Sequence, residues 1–214
     1  MTLYIGILYS GIILTALLMV IAKRLSALIG GFAAQSFLLF LVTVLFAIRE
    51  SSVEIYTVAF LLLSIKVMAI PYLLSKMVRR VKTDATTGAI VNPTLSLFIT
   101  MVLMYLSYLF AARLFPLYDK VQESSIVIAF AVTLIGLFIM VFRMKAIAQI
   151  VGLLVMENGL FLIASAVSGG MPFFVEIAIF FDIFVCVIIL GMFVYKINKV
   201  FTHIDVNKLQ ELKG

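Results

Sequence analysis

The sequence predicts an all-α polytopic membrane protein with about seven transmembrane helices. Three observations carry that expectation. Of the 214 residues, 65% are hydrophobic and only 12% charged, unlike a soluble domain. Apolar runs of about 20 residues recur along the whole chain, and each suffices to cross a ~30 Å hydrocarbon core as a helix. Lysine and arginine gather on alternate connections between those runs.

The expected spans are 3–22, 26–48, 53–77, 93–115, 124–142, 147–169 and 173–196. The first lacks a basic leading segment and a clear small-residue cleavage site, so it is expected to be a retained span. The second and third are bounded by short polar connections. The third contains Pro71 and leads into the sizeable loop 78–92, with Arg79, Arg80, Lys82 and Asp84. Pro93 opens the fourth span, a position that helices tolerate because its missing N–H has no intrahelical partner anyway. The fifth and sixth flank Arg143 and Lys145, and a short tail follows the seventh. These elements suggest units at 1–92, 93–123, 124–200 and 201–214.

Connections after the first, third, fifth and seventh spans hold 12 Lys or Arg residues. Those after the second and fourth hold three, Arg49, Arg113 and Lys120. The asymmetry predicts an N-terminus outside and a C-terminus in the cytoplasm of a prokaryotic cell membrane. It also recasts the net charge of +6 as topology anchoring, with no nucleic-acid partner expected. One cysteine, Cys186, excludes an internal disulfide and a four-cysteine metal or iron–sulfur site. The lone histidine, His203, lies in the tail, so a histidine-built zinc or haem centre is not expected. No phosphate loop, nucleotide fingerprint or nucleophile elbow occurs, so no self-contained active site and no cofactor in this chain are expected.

Lys66, Glu157 and Asp182 lie near the middle of their spans. A charge there costs roughly 2.5–3.5 kcal/mol even on the mildest scale, which marks an ion path or proton relay. The alternative is a structural ion pair or hydrogen-bond glue between helices. For Lys66 that alternative is a lasting pair with a carboxylate of another helix or subunit. Pro71 follows five residues later, removes a backbone donor and predicts a disturbed helix beside Lys66. Gln35 and Asn158 read as packing amides, and Glu176 as an interfacial acid. Gly152, Met156 and Gly159 share one helix face and invite close approach of another helix.

The chain also matches itself. Between 24–41 and 145–162, at an offset of 121, six of 18 positions are identical, among them Gly31 and Gly152. The triplets Val53-Glu54-Ile55 and Val175-Glu176-Ile177 repeat at an offset of 122. The pattern suggests parallel three-helix repeats, spans one to three and five to seven, joined by the fourth. Ser36 stands where the second half has Glu157.

The stretch 149–162 with Met156-Glu157-Asn158-Gly159, Glu176 with Asp182, and the closing Ile204-Asp205-Val206-Asn207-Lys208-Leu209 resemble the E-type membrane component of hydrogenase-4 (formate hydrogenlyase) complexes. Ala34-Gln35-Ser36 and Ile65-Lys66-Val67 with Pro71 are similar to it as well. More distantly, spans five to seven resemble the K-type subunit of complex I and the C-type subunit of multisubunit cation/proton antiporters. That family places an acid in each of its second and third helices. Asp182 aligns with the second acid, and Glu157 stands three residues beyond the first, which here is Leu154. The resemblance implies a non-catalytic membrane-arm subunit that moves protons beside antiporter-like and other membrane-arm subunits. It also implies cytoplasmic hydrogenase and iron–sulfur subunits, which would hold the nickel–iron centre and the clusters. An antiporter or ion-coupled transporter subunit without a redox partner, or a structural scaffold, are the alternatives.

Overall fold

The computed structural model describes residues 2–51, 53–80, 86–114 and 120–168. The protein is an all-α polytopic membrane protein. Its elements are α1 (Thr2–Ile21), α2 (Leu25–Glu50), α3 (Val53–Leu62), a π-helix (Leu63–Ala69), α4 (Ile70–Arg80), α5 (Pro93–Leu114), α6 (Lys120–Phe142) and α7 (Ala146–Ser168). Counting Val53–Arg79 as one span, six helices among the described residues are long and apolar enough to cross a membrane. Their outward surface is apolar, with Leu14, Phe60, Phe98, Met101, Tyr105 and Val141 exposed, as a lipid solvent requires. The seventh expected span, the tail, Asp182, Glu176, Cys186 and His203 lie outside the described residues.

Two helix ends differ from expectation. Helix α4 runs to Arg80 instead of 77, and α6 starts at Lys120 instead of 124, so the expected boundary after 123 falls inside a helix. Hydropathy marks only the hydrocarbon-buried part of a helix. The helix itself continues through the interface, where long charged side chains reach water.

Helices α1 and α2 form one antiparallel hairpin, and α6 and α7 another. Helix α1 packs on α6 and α2 on α7, so four helices share a core containing Ile12, Phe32, Leu39, Ile135, Leu154 and Val155. Helix α5 covers α6 and α1, while α3, the π-helix and α4 lie along α2. In the α6–α7 hairpin the backbones meet at glycine. A Cβ added at Gly136 would strike the backbone of Met156, and one at Gly152 the backbone of Met140. At Gly159 it would strike Thr133. Small residues substitute for hydrophobic drive inside lipid, because dispersion contacts need close approach. The expected glycine face of 152 and 159 is therefore the seam against α6.

Pro71 has no N–H to offer the Val67 carbonyl. The helix is π-wound over Leu63–Ala69, immediately before it, and Ile70 N–H donates to the carbonyl of Ile65, five residues back. The Ser64 hydroxyl donates to the Phe60 carbonyl at 2.9 Å, a bond that also loosens a helix. Lys66 sits at the centre of this segment.

Candidate functional site

Lys66 is fully buried, and its Nζ lies 3.5 Å from Glu157 Oε1, whose side chain is 4% exposed. Lys66 Nζ also donates to Asn158 Oδ1 at 3.2 Å. An ammonium only donates, so the amide oxygen of Asn158 must face it and the amide nitrogen must face away. That nitrogen donates to Gln35 Oε1 at 3.2 Å and to Ser36 Oγ at 3.3 Å. Gln35 Nε2 donates in turn to the Ile12 carbonyl at 3.3 Å. One polar cluster thus ties α1, α2, the π-helix and α7.

The cluster occupies a single layer. Ile12, Gln35, Ser36, Lys66, Glu157 and Asn158 lie between nine and 14 residues from the same end of their helices. At ~1.5 Å per residue this is close to the middle of a bilayer. Each ion taken from water costs several kcal/mol, which only close opposite charge and further hydrogen bonds offset. The π-turn positions the lysine for this. Its wider winding changes the register of Lys66 relative to α3 before Pro71 resets the helix, and π-segments recur at functional sites.

Sequence reasoning singled out Lys66, Glu157, Asn158 and Gln35, and the structure brings these four together. Ser36 entered as the counterpart of Glu157 and within the Ala34-Gln35-Ser36 stretch, and it accepts a bond from Asn158. Asp182 and Glu176 lie outside the described residues. Gly152 and Gly159 lie on the α6 seam, near the cluster in sequence but serving packing. A second polar pair went unnoticed: the hydroxyl of Tyr9, 4% exposed, hydrogen-bonds Ser125 between α1 and α6. Among the described residues no group of three or more metal-ligating His, Cys, Asp or Glu side chains occurs.

Arg143 counts in the sequence among the topology anchors at span ends, and in the structure it is 5% exposed. Its Nη2 donates to the carbonyls of Val20 at 2.6 Å and Met19 at 3.3 Å, and its Nη1 bonds Thr87 Oγ1. Helix α1 ends there with carbonyls that lack intrahelical donors, and the guanidinium supplies them. Burial pulls the guanidinium below its usual range. The segment 86–91 threads between the hairpin turns. Thr87 N–H donates to Lys23 O at 2.9 Å, and Gly88 O accepts from Met144 N–H at 2.9 Å. Gly88 takes a φ of +62°, which a side chain resists, and packs against Lys145. The only sequence hint of this clamp was the Thr-Thr-Gly step at 86–88.

No family model and no solved structure matches the chain. It is similar to the uncharacterized protein Rv0085 of Mycobacterium tuberculosis (strain ATCC 25618 / H37Rv), 28% identical over 204 residues, covering 95% of this chain and 93% of that one.

Proposed function

We propose that this chain is a non-catalytic membrane-arm subunit of a hydrogenase-4-type respiratory complex, and that Lys66 and Glu157 form its proton-transfer pair. The observation that carries the reading is the buried 3.5 Å Lys66–Glu157 contact at mid-span. The sequence resemblance supplies the setting: antiporter-like neighbours in a prokaryotic cell membrane, with nickel–iron and iron–sulfur centres in cytoplasmic partners. The basic end then faces the cytoplasm and the N-terminus lies outside.

On this reading the pair acts as a two-state element. With Glu157 ionised, the carboxylate holds the ammonium by opposite charge. When Glu157 takes a proton that attraction vanishes, and Asn158 Oδ1, at 3.2 Å, remains as the neutral partner of Lys66. Asn158 Oδ1 thus gives Lys66 a hydrogen-bond acceptor in either state of Glu157. Gln35 and Ser36 hold Asn158 in place from the other side.

The same closed cluster favours a second reading, a scaffold whose Lys–Glu pair only fixes helix register. Proton pumping by the intact complex in sealed vesicles separates the two. Under the relay reading Glu157→Gln abolishes pumping while the subunit still copurifies. Normal pumping by that variant assigns the pair to the scaffold.

A further inference from the structure

At the basic end lies a cleft of about 260 Å³, lined among others by Val20, Lys23, Thr87, Gly88, Val91 and Arg143. Pro93, the first residue of α5, also borders it. The cleft belongs neither to the Lys66 cluster nor to the hairpin seam, and the proposed proton transfer does not use it.

Four observations bear on what it takes. First, it sits where α1 ends and α5 begins, which is the depth of lipid headgroups for spans of this length. Second, among the described residues this end carries Lys23, Arg24, Lys76, Arg79, Arg143 and Lys145 and no carboxylate. Third, Arg143 spends three N–H groups on Met19, Val20 and Thr87, out of the five a guanidinium has. Fourth, the walls are mainly apolar, from Val20, Ile21, Ala22, Ala89 and Val91. The N-terminal turn of α5 adds the positive end of a 22-residue helix dipole.

A free anion would find the cations here but gain nothing from apolar walls. An amphiphile with an anionic head uses both. We infer that the cleft binds an anionic phospholipid, with its phosphate on Lys23 beside the Arg143 guanidinium, and its glycerol and upper acyl carbons against Val20 and Val91. Basic pockets between transmembrane helices bind lipid headgroups by this logic.

The test uses the delipidated full-length chain in detergent, with native mass spectrometry reading retained lipid. The probes are phosphatidylglycerol, phosphatidylcholine and inorganic phosphate. Phosphatidylglycerol is expected to bind about 10-fold or more tighter than phosphatidylcholine. Replacing Lys23→Gln and Lys145→Gln together should bring the two lipids within about 2-fold. Lys23 is exposed and Lys145 half-buried, so the melting temperature of the double variant is read beside that of the unaltered chain. Val91→Trp, which fills the cleft, should lower retention of both lipids while the melting temperature holds. Equal retention of both lipids by the unaltered chain overturns the inference, as does undiminished selectivity in the double lysine variant. Saturable inorganic phosphate binding that displaces phosphatidylglycerol would assign the cleft to a soluble anion instead.

Discussion

In the α1–α2 hairpin, Gly31 faces the side chain of Met19; in the α6–α7 hairpin, Gly152 faces the backbone of Met140. Each residue of the second pair lies 121 residues beyond its counterpart, the offset that also relates 24–41 to 145–162. The packing register is thus the same. The contents differ in two ways. The second hairpin is closer, backbone against backbone, while the first keeps a thioether between its helices. At the centre, Ser36 of the first hairpin occupies the position that holds Glu157 in the second. One packing frame can therefore carry a carboxylate in one half and a hydroxyl in the other. The charge lies on the face of α7 toward the π-helix, and the close seam on its face toward α6.

The comparison can be broken most severely at the ion pair. Lys66→Met removes the cation beside Glu157 and should cost about 3–5 kcal/mol, most of it recovered by adding Glu157→Gln. Unfolding midpoints in detergent for both singles and the double would show that recovery or its absence. Next comes the tie between hairpins. Arg143→Gln takes the guanidinium from the Val20 carbonyl, while Met19 keeps the Ala22 N–H, and should cost about 2–3 kcal/mol. Faster amide exchange confined to the last turn of α1 would be its signature.

The seam sharpens the comparison. Gly152→Ala drives a Cβ into backbone and should cost about 1–3 kcal/mol or more. Gly31→Ala meets only the flexible Met19 side chain and should cost about 1 kcal/mol or less. Equal losses of thermal stability in the two variants would contradict the difference drawn between the hairpins. The smallest effect is expected from Ser36→Ala, about 0.6 kcal/mol, because Asn158 keeps Gln35 as acceptor. A double-mutant cycle with Asn158→Ala measures that coupling directly.

Much of the fold was legible because bilayer physics writes it into composition. The order of the six described spans followed from apolar runs, and the glycine face of α7 from helical periodicity. The central residues were legible for the same reason: Lys66 and Glu157 are costly where they stand. Their partnership was not, because a sequence gives depth along each helix and not which helices meet. The resetting of α4 shows this. Pro71 announced a disturbance, but the π-winding that turns Lys66 toward α7 depends on neighbours. Arg143 was legible as a charge at a span end, but its burial was not, because a basic residue there usually faces water. Nothing local announces that another helix, far away in sequence, ends beside it with carbonyls to satisfy.

That distance has a consequence for synthesis. The Val20 carbonyl waits for a guanidinium 123 positions further along the chain. At roughly 5–20 residues per second, the ribosome takes roughly 6–25 s to deliver it. Until then the first hairpin sits in the membrane with an unfinished end, whose polar groups must be held by headgroup water or by the insertion machinery. Completion of the earliest crossing therefore belongs to the emergence of α6. A nascent chain stalled before that point carries every atom of α1 and α2 but not yet their final structure.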